Sequence, residues 1–166
     1  MSDNLKSYVE KYGRKGVIVD TNMLLLYAVG TFDMNQIAKF KRTQIYEKDD
    51  FRLLFTFLKQ FNRVLTTPNI LTELTNLTEN LNYQTNELFF QNLTQQIEIL
   101  DEQHIESKDL AKTKVFIKFG LSDSAIAELG QQGFLVLTDD LKLFGFLSSK
   151  GIDCLNFNHI RSSFNN

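Results

Sequence analysis

The sequence contains few cysteines and histidines and has no excess of basic residues. Each of these shortages argues against particular kinds of site or function. Cys154 is the single cysteine, so neither an intramolecular disulfide nor a cysteine-based metal site is possible. The two histidines, His104 and His159, stand far apart and lack the spacing of metal ligands. No Gly-Lys-Ser/Thr occurs, which excludes a P-loop.

Long apolar runs are also missing. No segment approaches the length that crosses a bilayer, and residues 1–14 lack the apolar core of a signal peptide. We therefore expect a cytoplasmic protein with no membrane partner. The net charge of -2 argues against a dedicated non-specific nucleic-acid binder, which is usually basic. It leaves room for an enzyme that meets nucleic acid through a local patch or a bound cation.

What is present indicates one globular domain. The chain has 166 residues, of which 43% are hydrophobic and 23% charged. This composition is typical of a folded domain with one sizeable core. Because no repeat, linker or low-complexity tract interrupts the sequence, we predict a single domain over residues 1–166.

Two apolar segments end in acids. A strand predicted at about 16–20 ends in Asp20, and a second at about 134–138 is followed by Asp139 and Asp140. Continuous apolar runs are typical of strands buried in a parallel sheet. In open α/β sheets, ligands bind beyond the carboxyl ends of such strands. The simpler alternative is that Asp20 only caps the next helix.

Short strands alternate with helices along the rest of the chain. This alternation predicts an α/β sandwich with a mainly parallel sheet of about four to five short strands. Thr67 and Pro68 are expected to start one helix, and Ser122 is expected to cap another. Residues 1–15 are expected to form a short polar helix or an arm. The other predicted helices cover about 22–29 with its end at Gly30, 33–41, 49–62, 68–81, 82–100, 107–119, 122–129 and 141–150. Further strands are predicted at 63–66 and 152–155, Gly130 and Gly133 are expected to close the helix 122–129, and the tail 156–166 is polar.

Two more acids stand near helix starts. Glu73 lies on the shoulder of an apolar stripe, where it is either a surface acid or a ligand. Asp123 falls in the first turn of a helix, where the helix dipole alone would favour it. These acids and Asp20 and Asp140 could meet at one sheet edge. In that case the repulsion between any two carboxylates about 4 Å apart costs roughly 4 kcal/mol at an effective dielectric near 20.

A divalent cation is the better candidate to offset that repulsion. No lysine or arginine lies within the four acidic motifs, so no side chain of opposite charge is at hand. Oxygen-only ligand sets favour Mg²⁺ or Mn²⁺ over zinc.

The order of these motifs resembles that of PIN-domain ribonucleases, a family that includes VapC-type toxins. The resemblance implies a three-layer α/β/α fold and a metal-dependent endoribonuclease that hydrolyses RNA phosphodiester bonds. The motifs that carry it are Val17-Ile18-Val19-Asp20-Thr21-Asn22, Thr67-Pro68 with Leu71 and Glu73-Leu74, Ser122-Asp123 with Ile126-Ala127, and Leu137-Thr138-Asp139-Asp140.

The resemblance also implies a role for each matching residue. The catalytic metal ligands would be Asp20, Glu73, Asp123 and Asp140. Thr138 would be the supporting hydroxyl, and Asn22 a polar residue behind the ligands. Asp139 is an alternative to Asp140, because adjacent residues at a helix start point in different directions.

The implied partners are an RNA substrate, an antitoxin protein and a second copy of the chain. The densest lysine group either touches an RNA backbone or faces solvent; it comprises Lys108, Lys112, Lys114 and Lys118. The competing interpretation is a non-catalytic PIN-like module that binds RNA or protein.

Overall fold

The sheet is built around a short buried strand of three β-branched residues. A computed structural model of the chain describes residues 3–78 and 83–164. Its five strands are all parallel, in the spatial order β3-β2-β1-β4-β5. They are β1 (Val17–Val19), β2 (Val64–Thr66), β3 (Asp101–Glu102), β4 (Leu135–Thr138) and β5 (Cys154–Asn156).

Helices connect the strands and cover the sheet. The chain moves outward from β1 to β3 and then returns past β1 to β4, and right-handed crossovers place the outward and return helices on opposite faces. The helices are α1 (Asp3–Tyr12), α2 (Thr21–Phe32), α3 (Lys48–Leu58), α4 (Pro68–Thr78), α5 (Tyr83–Glu98), α6 (Ser107–Leu110), α7 (Lys114–Gln131), α8 (Leu141–Ser149) and α9 (Phe157–Phe164), with a short 3-10 helix at Met34–Gln36.

The predicted fold class is confirmed. A parallel sheet of five short strands lies between helices in a three-layer α/β/α arrangement. Strands β1 and β4 are buried along their whole length, as their apolar sequences predict. Among the described residues, no helix is both long enough and apolar enough to cross a bilayer.

Two elements were not predicted. Strand β3 has only two residues, both acidic, and it pairs with β2 alone at the sheet edge. Helix α9 occupies the tail that was predicted to be only polar; it buries Phe157 and Ile160 against the core.

Several predicted helix ends are wrong. The 33–41 helix is only the 3-10 turn, although Asp33 caps it as expected. The 49–62 helix ends at Leu58, and the predicted 107–119 helix is divided into α6 and the start of α7. The predicted helix ends at residues 79–82 lie outside the described residues.

Two more predicted helix ends are wrong, and each of those predictions relied on a glycine. Gly30 does not end α2, which continues to Phe32; instead it lies where α2 packs against α3, and an added Cβ would stand 2.2 Å from the ring of Phe51. Gly130 likewise lies inside α7, whereas Gly133 takes a positive φ of 86° in the turn after that helix.

Replacing Gly30 by alanine should therefore destabilise the protein. The Cβ would force the Phe51 ring to move within a packed core, which costs about 1–3 kcal/mol of unfolding free energy. Gly145→Ala is the matched control, since Gly145 is also helical and its Cβ would meet no atom within 4 Å. That control should gain up to about 1 kcal/mol from helix propensity. Urea denaturation would measure both changes; equal stability of the two variants would contradict the packing role of Gly30.

Candidate functional site

Asp20 is the best-anchored acid at the carboxyl edge of the sheet. It follows β1 and caps α2, where its Oδ1 accepts a hydrogen bond from the Met23 amide at 2.8 Å. Its Oδ2 accepts from the hydroxyl of Thr138 and from the Asp139 amide, the latter at 3.1 Å. One carboxylate thus joins the end of β1, the start of α2 and the end of β4.

Burial dominates the electrostatics of Asp20. The residue is 4% exposed, and burial raises the pKa of its carboxyl to about 8. The negative charge of Asp139 contributes to this rise in pKa, and the three hydrogen bonds partly offset it. The carboxylate is therefore held in a place where a nearby positive charge would be favourable.

Helix α4 places Glu73 beside the start of α2. Thr67 caps α4 as predicted, because its Oγ1 accepts a hydrogen bond from the Ile70 amide at 3.3 Å, and Pro68 is the first helical residue. The hydroxyl of Thr21 donates to Oε2 of Glu73 at 2.8 Å. Glu73 is thus tied to the residue that follows Asp20, a link that the sequence did not predict.

Asp123 enters the site through a kink in α7. Gly120 has a φ of 86° and divides the helix into residues 114–119 and 121–131. Ser122 is therefore not the predicted cap, since the second part of the helix already contains it. The pKa of the Asp123 carboxyl is raised to about 7, first by burial and then by the negative charges of Glu73 and Asp140.

Asp139 and Asp140 have different surroundings. Asp140 is exposed, caps α8 through the amides of Lys142 and Leu143, and acts electrostatically on Asp123. Asp139 instead raises the pKa of Asp20. The charge of Asp140 thus acts on Asp123, as that of Glu73 does, whereas the charge of Asp139 acts on Asp20.

Three polar groups hold Asp139 in place. Its carboxylate accepts hydrogen bonds from the hydroxyl of Tyr46 and from Nδ2 of Asn22, the latter at 3.1 Å. Its carbonyl accepts from Nδ2 of Asn158 at 2.9 Å. Asn22 was a predicted site residue, whereas Tyr46 and Asn158 were missed because no local pattern marks them; Tyr46 lies 93 residues before Asp139.

A groove opens beside the acids. It encloses about 530 Å³ between α4, the loop after β3 and the kinked part of α7. Glu73 and Asp123 line it together with His104 and Phe119. The two acids are therefore accessible from a groove that also offers aromatic and amide side chains.

The acidic residues offer the type of ligand atom that a hard divalent ion prefers. Their donors are all carboxylate oxygens, as Mg²⁺ and Mn²⁺ prefer. The groups that raise the pKa of Asp123 besides burial are acids only, so like charges meet there. Within residues 3–78 and 83–164, no three acidic, histidine or cysteine side chains stand ready to hold one ion. Asp20, Glu73 and Asp140 already accept hydrogen bonds, which would compete with coordination of an ion.

No protein-family model, curated protein or solved structure matches the chain. The functional proposal therefore rests on the residues of this chain.

The raised pKa values predict how stability depends on pH without divalent ions. Asp20 and Asp123 titrate at about 8 and about 7 in the folded protein, against about 4 in an unfolded chain. The folded state therefore binds more protons between these values, and the free energy of unfolding falls as pH rises through this window. In EDTA, the Tm should be higher near about pH 5 than near about pH 8.5.

Calorimetric scans across this pH range would measure that fall. Asp123→Asn should reduce it, because the variant lacks one of the two titrating groups. Below about pH 4 stability should fall for the opposite reason, since Arg63 and Lys11 lower the pKa values of Asp101 and Asp153. A Tm in EDTA that stays level or rises between about pH 5 and about pH 8.5 would rule out the raised pKa values.

Proposed function

We propose that the protein is a divalent-metal-dependent endoribonuclease that hydrolyses RNA phosphodiester bonds at the acidic edge of its sheet. The observation that carries this proposal is that Glu73 and Asp123 line one open groove, where the charge of Asp140 also acts on Asp123. The Asp123 carboxyl is half-buried beside charges of the same sign, and carboxyls with such raised pKa values cluster at functional sites. The resemblance of the motifs to PIN-domain ribonucleases supports the same activity.

Four carboxylates would hold the ions, namely those of Asp20, Glu73, Asp123 and Asp140. When bound, Mg²⁺ or Mn²⁺ supplies positive charge to a scissile phosphate and makes coordinated water more acidic. The protein contributes orientation. The Thr138 hydroxyl and the Asp139 amide fix Asp20, and the Thr21 hydroxyl fixes Glu73. These contacts limit the rotation of the carboxylates and so reduce the entropy that ion binding costs.

A second candidate function is a non-catalytic module that binds RNA or protein. It is favoured by the three hydrogen bonds that both oxygens of Asp20 already accept. It is also favoured by the lack, among the described residues, of three side chains placed around one ion. Calorimetry with Mn²⁺ separates the two functions, because only the nuclease requires the ion to bind.

The resemblance to PIN-domain ribonucleases also suggests a cellular role and protein partners. On that basis alone, we propose that the protein acts in the cytoplasm as the toxin of a toxin–antitoxin pair. Its antitoxin would cover the acidic edge, and the toxin itself would be a homodimer. Light scattering of the purified chain would test the dimer by its mass.

Cleavage of a labelled single-stranded RNA tests the activity. We expect cleavage with Mg²⁺ or Mn²⁺ and none in EDTA. Asp20→Asn should reduce the rate more than about 100-fold, since changes even behind a metal ligand cost 10- to 100-fold. Asp153→Asn is the matched control, because Asp153 precedes β5 at the opposite edge of the sheet and bonds to Lys11 and Tyr12. Full activity of folded Asp20→Asn protein would refute the proposal.

The neighbouring acids Asp139 and Asp140 should differ in Mn²⁺ binding. Asp140→Asn removes a charge that acts on Asp123, so we expect weaker Mn²⁺ binding by about tenfold or more. Asp139→Asn should change the affinity less, because that carboxylate is occupied by Tyr46 and Asn22. Isothermal titration calorimetry would measure both variants. The reverse order would assign the ligand role to Asp139.

A further inference from the structure

A strip of two lysines and two phenylalanines lies beside the acidic groove. The strip consists of Lys118, Phe119, Phe146 and Lys150. The two rings meet edge to face, with centroids 5.4 Å apart. The ammonium of Lys118 lies 5.0 Å from the centroid of the Phe119 ring and 5.5 Å from that of Phe146, and the ammonium of Lys150 lies 5.9 Å from that of Phe146.

The two lysines of the strip are not neutralised by acids. In the part of the chain that the structure describes, neither Lys118 nor Lys150 forms an ion pair. By contrast, Lys108 pairs with Glu106, and Lys112 pairs with Asp109. The four-lysine group that the sequence singled out is therefore divided. Lys108 and Lys112 pair with nearby acids, Lys114 forms no ion pair with a described residue, and Lys118 lies with a lysine from a different helix.

The strip is continuous with the groove. Phe119 belongs to both, since it also lines the cavity that Glu73 and Asp123 share. It immediately precedes Gly120, the residue that kinks α7 and places Asp123 at the site. A chain molecule bound in the groove would therefore reach the strip through the shared ring of Phe119.

We propose that this strip binds the single-stranded part of the RNA that extends beyond the cleaved bond. Bases would stack on Phe119 and Phe146, and neighbouring phosphates would be contacted by Lys118 and Lys150. Stacking on aromatic side chains requires bases whose faces are free, which a duplex does not offer. The strip thus selects single-stranded RNA as the substrate class. The cleaved bond rests on the proposed function, whereas the binding surface does not.

The charge balance of the protein agrees with a local contact of this kind. The net charge is -2, so the chain as a whole repels RNA weakly. Two ammonium groups that form no ion pair with any residue of 3–78 or 83–164 lie beside two rings, and they provide local attraction without a basic excess. Lysine side chains are long and flexible, so Lys118 can leave the rings for a phosphate when a base takes its place.

Binding of a fluorescein-labelled oligouridylate, measured by anisotropy in EDTA, tests the strip without cleavage. Lys118→Gln with Lys150→Gln should weaken binding about tenfold to thirtyfold near 0.1 M salt. The slope of log affinity against log salt should fall by about 0.7 for each lost contact. Phe146→Leu keeps the apolar volume but removes the ring, and should weaken binding about fivefold or more.

Lys108→Gln with Lys112→Gln is the charge-matched control. It removes the same two charges from lysines that already have acidic partners, so its affinity should stay within about twofold of the wild type. An equal loss in this control would reduce the effect to overall charge and overturn the proposal. The proposal also fails if the wild type does not bind oligouridylate, or if a duplex of equal length binds as tightly.

Cleavage assays with Mn²⁺ separate this proposal from the nuclease itself. If the strip acts as proposed, the Lys118→Gln/Lys150→Gln variant should show a raised KM with kcat little changed. Normal cleavage by this variant at low RNA concentration would refute the strip and leave the nuclease standing. Specific loss of RNA binding in a protein that never cleaves would support the strip and refute the nuclease.

Discussion

The hydrogen bonds of Asp20 are the interaction on which the acidic edge depends. A single carboxylate accepts from the end of β4 and from the first turn of α2, while its own backbone continues β1. Because β1 and β4 are neighbours in the sheet, this carboxylate fixes how the two strands end relative to one another. Thr21 and Asp139 come next in the chain after these strand ends. Their hydrogen bonds to Glu73 and Tyr46 therefore connect those two residues to the same anchor.

This anchor has an electrostatic cost that its hydrogen bonds do not fully offset. The bonds to Asp20 lower the pKa of the carboxyl, yet burial and Asp139 outweigh them. A helix cap alone does not require a charged residue at this buried position, since serine and asparagine cap as well as aspartate. Asp20 can therefore cap α2 and also serve in the proposed ligand set. Capping does not explain why a second acid, Asp139, lies close enough to raise its pKa.

Sequence reasoning succeeded where the pattern was local and failed where tertiary contacts decided. The apolar runs of β1 and β4 and the Thr67–Pro68 helix start required no distant partner. Gly30 had the pattern of a helix end, but its actual environment is set by the Phe51 ring. Strand β3 is too short and too polar to show any periodicity. The hydrogen bond from Tyr46 to Asp139, and the position of Lys118 and Lys150 beside the same Phe146 ring, depend on contacts that only the folded chain creates.

The adjacent residues Asp139 and Asp140 show why the motif alone could not assign the site. Asp139 faces the buried side with Asp20, whereas Asp140 acts on Asp123 at the groove. The acidic edge thus has a buried half, fixed by hydrogen bonds, and an open half that faces solvent. In the proposed nuclease, a cation arriving through the groove would meet the open half first. Its binding there would lessen the like-charge repulsion on Asp123. Asp20 would contribute only after exchanging one of its existing hydrogen bonds, so the groove side of the edge would control access to the proposed site.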